Sequence, residues 1–435
     1  MFLQKLTTLP FMINMTEPAP QTGQLVSTAN TQVNRSSTVV SLELLRGLAS
    51  LDVFLWHLLN SKISLIYIPG LYRALAWSKE SVIIFFVLSG YVISLSQQRL
   101  HRPAAQFLKA RFKRIEPIYL ISLAAAILVS SLIHSPITLW QAIGHLFFLQ
   151  SYEGTLVPPI AANGPLWSLG TEFEFYMAFT FILLLNKPSL LLAWWWLAIA
   201  GMLIRHMGYL SSGFDGLFLE FLGLSPCWLV GYFAAGFRCA RSLTLVQAVT
   251  LFLMIPLVSN SDFGSMLKMW GSYDDLKCYF LALLIAPLIH TLAVRQLYPE
   301  AKPLKQGWLI VLITYVCVVL YALLYPAYTF PRLNWLILCE IALAPPAFYV
   351  LGHLFLPAVP VWPINSEVFR KTAVFLGGGS FALYAIHVPV LVFVEYFVSN
   401  HYLQFPFVIL IVASCVLFLE YLIQPRMAFW IDRIL

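Results

Sequence analysis

An all-α, polytopic transmembrane bundle of about 10–12 membrane-spanning helices is the fold this sequence predicts, because its apolar runs have the roughly 20-residue length that crosses a bilayer. Three observations carry that expectation. The 435 residues are 60% hydrophobic and only 10% charged, against about 25% charged in a soluble domain. The mean hydropathy is +0.81, which leaves too little polar surface to cover a water-soluble core. The apolar runs are continuous rather than alternating, which excludes an outer-membrane barrel and favours helices, whose backbone groups are satisfied internally.

The runs place spans at 42–60, 80–98, 116–134, 166–186, 189–206, 217–238, 243–259, 278–296, 307–328, 333–356, 374–397 and 404–423. The stretch 139–150 is apolar but short, an interfacial or re-entrant piece. The first 40 residues are rich in Thr, Ser, Asn and Gln and read as a mobile polar tail, leaving a membrane domain at 41–425 and a short tail at 426–435. No soluble domain and no internal repeat is visible. The six cysteines are scattered without CxxC spacing, so neither a zinc site nor a disulfide framework is expected.

Residues 99–114 hold Arg99, Arg102, Lys109, Arg111, Lys113 and Arg114 and no acid. Basic loops stay in the cytoplasm, so this one is expected there, with the N-terminus on the same side and 61–79 outside. The net charge of +7 thus reads as topology and lipid headgroups, not nucleic-acid binding.

Ionisable groups inside spans are costly and mark function by default. The first span carries Glu43, Arg46, Asp52 and His57. At 100° per residue Arg46 and His57 differ by only about 20°, with an axial rise of about 16 Å. Glu43 can pair with Arg46 at i, i+3, and Gly47 permits a close neighbour. His57 in isolation is as readily a packing residue as a catalytic one; three polar groups on one stripe tilt the balance. Glu172 and Glu174 point about 200° apart, so only one faces a given cavity, and Glu172 shares a face with Tyr176. As a bland alternative, acids at that helix start suit the helix dipole. Ser89-Gly90 reads as a close helix contact. Tyr384 and His387 share a face at i, i+3, after a triple glycine, Gly377–Gly379, that is either a bend, a close ligand approach or a plain helix start. The other seven histidines lack a partner pattern.

These segments together resemble the acyltransferase-3 family of membrane O-acyltransferases, which includes bacterial polysaccharide O-acetylases. The family's LRGxAxxxVxxxH element is matched from Leu45-Arg46-Gly47 to His57. Its FFxxSGF/Y element is matched by Phe85, Phe86, Ser89, Gly90 and Tyr91. Its basic F…RxxRIxPxY element is matched by Phe107, Arg111, Arg114, Ile115, Pro117 and Tyr119. Trp167, Ser168, Leu169, Glu172, Phe175 and Tyr176 match WSLxxExxFY, and Ser380 to Tyr384 with His387 match SYxLYxxH. Two departures are Phe381 where Tyr is usual and Gln424-Pro425-Arg426 where a Glu-x-Pro is common.

The resemblance implies transfer of an acyl group, acetyl above all, from cytoplasmic acetyl-CoA or another acyl-CoA to a sugar hydroxyl of an extracytoplasmic glycan or glycolipid, in a bacterial inner membrane. No cofactor or metal is held permanently. Acyl transfer to an alcohol needs a base on the hydroxyl, and His57 is the candidate, since neutral imidazole works near pH 7. Arg46 and Glu172 complete the candidate catalytic set, with Glu172 orienting the imidazole or the acceptor. Arg111 and Arg114 suit coenzyme A phosphates; topology alone is their bland reading. Glu43, Ser89, Trp167, Tyr176, Tyr384 and His387 are candidate substrate contacts. Family members often carry an extra hydrolase-like domain, and this chain is expected to work without one. A transporter also buries charges near the midplane, but the chain shows no inverted repeat; a scaffold would tolerate substitution at both His57 and Glu172.

Overall fold

Apolar runs that meet no water must satisfy their backbones internally, and the computed structural model has a helix in every run marked above. It describes residues 39–63, 78–206, 212–236, 241–255, 258, 275–298, 301–324, 334–355 and 366–434. The expected tail up to 38 and most of the 61–79 loop lie outside them. In chain order the helices are α1 (Val40–Asn60), α2 (Ser78–Leu100), α3 (Ala104–Leu132), α4 (Leu139–Leu146), α5 (Trp167–Leu185), α6 (Leu190–His206), α7 (Gly213–Gly236), α8 (Leu245–Phe252), α9 (Asp275–Leu297), α10 (Gly307–Leu324), α11 (Asn334–Phe355), α12 (Glu367–Phe397), α13 (His401–Leu417) and α14 (Gln424–Ile434). A two-residue parallel pairing joins Arg241–Ser242 to Lys302–Pro303. Seven described stretches are long and apolar enough to cross a membrane.

One expectation is corrected. The basic stretch 99–114 is not a loop throughout: from Ala104 it forms the first turns of α3. Its charges separate onto two faces, Arg111 and Arg114 at i, i+3 and Lys109 and Lys113 at i, i+4. Both lysines pair with Asp432 of α14, so most of the stretch 426–435 is helical and docked on α3.

After α3 the chain turns back into the bundle. The Tyr119 hydroxyl, halfway along α3, donates to the His145 carbonyl at the end of α4 (2.6 Å). Gln150 donates to Tyr119 (3.0 Å) and to the Leu166 carbonyl (3.0 Å). The segment through the 3-10 turn Ala161–Leu166 therefore packs back against the middle of α3, and α5 starts there. At the far end, Arg205 of α6 pairs with Glu153 and Asp275, and Glu220 of α7 accepts the Tyr152 backbone N–H (2.7 Å), fixing the returning strand.

Lipid offers no hydrophobic drive between helices, so contact relies on close packing and hydrogen bonds. A methyl group on Gly90 of α2 would overlap the Trp228 carbonyl of α7, and one on Gly231 of α7 would overlap the Val87 carbonyl of α2. The Ser89-Gly90 contact expected from the sequence is this one. Likewise Gly47 of α1 abuts Leu376 and Gly377 of α12 abuts Glu43, while α12 runs unbroken from 367 to 397. Gly377 thus serves the close approach of a neighbouring helix, not a bend or a helix start.

A helix-internal proline leaves a carbonyl without its i+4 donor, and at two of those in this chain a side-chain amide replaces it. Pro389 frees the Ala385 carbonyl, which accepts from Asn163 Nδ2 at 2.8 Å. Pro117 frees the Lys113 carbonyl, which accepts from Gln424 Nε2 at 2.6 Å. The first bond ties the returning segment to α12; the second ties the end of the chain to the basic turns of α3.

Candidate active site

α1, α2, α3, α5 and α12 enclose a cavity of about 70 Å³, space for roughly five waters at 10–15 Å³ each. Its lining includes Arg46, Ser89, Arg111, Arg114, Ser168, Glu172, Tyr176, Phe381 and Tyr384. Three arginines face it and one carboxylate, so the lining carries a net charge of +2.

The three arginines differ in what they touch. Arg46 Nη1 reaches both oxygens of Glu43 (3.0 and 2.9 Å), the i, i+3 pair the sequence predicts. Arg111 lies over the rings of Phe107 (5.6 Å) and Tyr176 (5.8 Å), and its Nε is buried without a hydrogen-bond partner. Arg114 is exposed at the rim. Among the described residues neither Arg111 nor Arg114 has a salt-bridge carboxylate, whereas Lys109 and Lys113 on the other face do.

Two hydroxyl pairs form the uncharged wall. Tyr176 donates to Glu172 and lies 3.2 Å from Ser89 Oγ, joining α2 to α5. Ser168 Oγ and the Tyr384 hydroxyl are 2.6 Å apart, and both lie near the Pro165 carbonyl (3.2 and 3.1 Å). This joins the start of α5 to α12.

His57 does not line the cavity. Its half-buried ring lies edge-on to Trp56 (5.0 Å) and 5.2 Å from the fully buried ring of His387, at 46°. His387 in turn touches Tyr384 edge-on at 6.1 Å. Tyr384 thus stands between the cavity and the histidine pair.

Residues 39–423 match a family model described as an acyltransferase domain. The chain belongs to the acyltransferase-3 family. No curated protein and no solved structure matches it.

In this acyltransferase the expected site residues fall into four groups. Arg46, Ser89, Arg111, Arg114, Glu172, Tyr176 and Tyr384 surround one cavity. Glu43 stands behind Arg46 as its counter-ion. His57 and His387 form a separate pair beyond Tyr384. Trp167 is outside the lining and packs edge-on against Tyr152 (5.1 Å) and Phe86 (6.3 Å), which fixes the start of α5. Glu172 takes its hydrogen bond from Tyr176, and the ring beside His57 is that of His387.

Sequence reasoning named Ser168 and Phe381 only as motif positions, not as site residues, and did not name Asn163. Ser168 carried a signal, since it lies in the Trp-Ser-Leu approach to α5. Asn163 carried none by itself; only Pro389, more than 200 residues away, announces a carbonyl in need of a donor. Among the described residues no cluster of His, Cys, Asp and Glu is arranged to hold a metal ion, and Cys227, Cys278, Cys317 and Cys415 are free thiols.

Proposed function

We propose that this family member is an integral membrane O-acyltransferase that moves an acyl group, acetyl in the first instance, from cytoplasmic acyl-CoA to a hydroxyl of an extracytoplasmic glycan or glycolipid. The observation that carries the donor half is the cavity: Arg111 lies half-buried there with no salt-bridge carboxylate among the described residues, beside Arg114 at the rim. Guanidinium groups bind phosphates through charge-assisted, forked hydrogen bonds. The exposed Arg114 at the rim and Arg111 inside it are placed to meet the phosphates of coenzyme A while the thioester arm enters. The basic face of α3 favours the cytoplasmic side for that rim, in a bacterial inner membrane with the N-terminus inside.

The chemistry follows from these positions. The thioester arm passes Tyr384 to reach His57, and the acceptor hydroxyl arrives from the opposite end of α1. His57 takes the hydroxyl proton as the oxygen attacks the thioester carbonyl. The carbon–sulfur bond breaks, and the thiolate of coenzyme A leaves with that proton, so the products are an ester and a free thiol. Arg46, held by Glu43, and the Glu172–Tyr176–Ser89 chain keep the donor end of the path polar and ordered.

The test is mass spectrometry of surface glycans from cells with and without the gene, repeated with His57→Ala at matched protein levels. Loss of one acyl mass in both is the expected result. Normal acylation with His57→Ala would remove His57 as the base. Counterflow of a solute in proteoliposomes without acyl-CoA would favour transport instead.

A further inference from the structure

His387 is 0% exposed, and its two ring nitrogens have different surroundings. Nδ1 lies 3.1 Å from the Leu383 carbonyl and 2.9 Å from the Tyr384 carbonyl. Carbonyl oxygens only accept, so Nδ1 carries the hydrogen, and the neutral ring has its lone pair at Nε2. Nε2 is fully buried and has no hydrogen-bond partner. A leucine would avoid the cost of a bare buried acceptor.

Three rings surround His387: Phe54 (6.1 Å), Tyr384 (6.1 Å) and His57 (5.2 Å). Phe54 has no polar atom. The Tyr384 hydroxyl is taken up by Ser168 and Pro165. His57 is the nearest of the three and carries an N–H. The backbone of α12 fixes the tautomer of His387, and α1 and α12 are locked together by the Gly47 and Gly377 approaches.

We propose that His387 is the positioning residue for His57: its Nε2, unpartnered in this structure, accepts the N–H of the His57 ring once that ring, 5.2 Å away, rotates toward it, and so turns the other nitrogen of His57, with its lone pair, toward the acceptor hydroxyl. This rests on the reading of His57 as the base. His387 has the orienting place that a carboxylate holds in other base-orienter pairs, but as an uncharged acceptor, which suits a site among membrane helices where a buried carboxylate is costly. When His57 takes the substrate proton, that proton stays on His57 until the thiolate leaves with it, and His387 keeps its own throughout.

The test compares His387→Leu, His387→Met and His387→Gln with His57→Ala and the unsubstituted protein, purified, with acetyl-CoA as donor and kcat and KM measured separately. The apolar variants are expected to lower kcat roughly 10- to 100-fold, part of the ~10²–10⁴ that a general base supplies, with KM for acetyl-CoA within about twofold. His387→Gln is expected to recover most of kcat, since its amide nitrogen can donate to the Leu383 and Tyr384 carbonyls while its oxygen accepts from His57. Equal losses with Gln and with the apolar residues, or a raised KM with unchanged kcat, would overturn the proposal. If His57→Ala is inactive while His387→Leu keeps full kcat, only this positioning role fails. If His57→Ala is itself active, the base assignment fails. Should neither apolar variant accumulate in membranes, the Gln variant decides alone: near-normal kcat supports the role and a 10-fold or larger loss refutes it.

Discussion

Asn163→Leu should destabilise the protein by about 2 kcal/mol, and the structure says what would cancel that cost. Asn163 is fully buried, and its amide donates to the Ala385 carbonyl at 2.8 Å. Position 389 is proline, so no helical N–H can take over. An unpaired buried carbonyl costs about 1–3 kcal/mol; hydrogen bonds between membrane helices average about 0.6 and reach about 1.7 kcal/mol, because most lost partners are replaced. Here replacement is blocked, which sets the estimate in the upper part of the range. In a Pro389→Ala background the helix regains an N–H for Ala385, and the same Asn163→Leu change should cost less by about 1 kcal/mol or more, a coupling that a double-mutant cycle reads directly. Unfolding in mixed micelles, followed by intrinsic tryptophan fluorescence, gives the four stabilities. Equal cost of Asn163→Leu with and without Pro389 would show that the amide is not replacing the proline's missing donor.

Other consequences follow from the same geometry. Arg111→Ala should raise KM for acyl-CoA by roughly 10- to 150-fold, the equivalent of one charge-assisted hydrogen bond of about 1.5–3 kcal/mol, and steady-state kinetics with varied acyl-CoA checks it; an unchanged KM would leave Arg111 with topology alone. Gly90→Ala should lower the melting temperature, since its methyl overlaps the Trp228 carbonyl and overpacking costs about 1–3 kcal/mol. Gly378→Ala, with open space around it, should be neutral or stabilising, so equal effects at the two positions would contradict the α2–α7 contact. Tyr384→Phe removes the hydroxyl shared with Ser168 and Pro165 and should cost about 1 kcal/mol; a melting temperature identical to that of the unsubstituted protein would count against the bond.

Span positions were legible because hydropathy reads membrane helices directly. The sequence runs 80–98 and 166–186 differ from α2 and α5 by a residue or two at each end. Pairs within one helix were equally legible: Glu43 with Arg46 and Glu172 with Tyr176 follow from 3.6 residues per turn. The first turns of α3 were read as a loop because charge, not helix period, dominates residues 99–114. Contacts between distant helices were out of reach. The pairing of His57 with His387 depends on how α1 lies against α12, which the Gly47 and Gly377 approaches decide and which no local pattern encodes. Pro117 and Pro389 announce two freed carbonyls, but nothing nearby in sequence says that Gln424 and Asn163 supply the donors.

The most direct measurement is transfer of labelled acetyl from acetyl-CoA to a glycan acceptor by the purified protein in sealed proteoliposomes, with donor and acceptor on opposite sides. Label should appear on the acceptor only when acetyl-CoA faces the rim formed by Arg111 and Arg114, and should be lost on combined Arg111→Ala and Arg114→Ala substitution. Label transferred equally from either side, or undiminished without the two arginines, would contradict donor binding at this cavity.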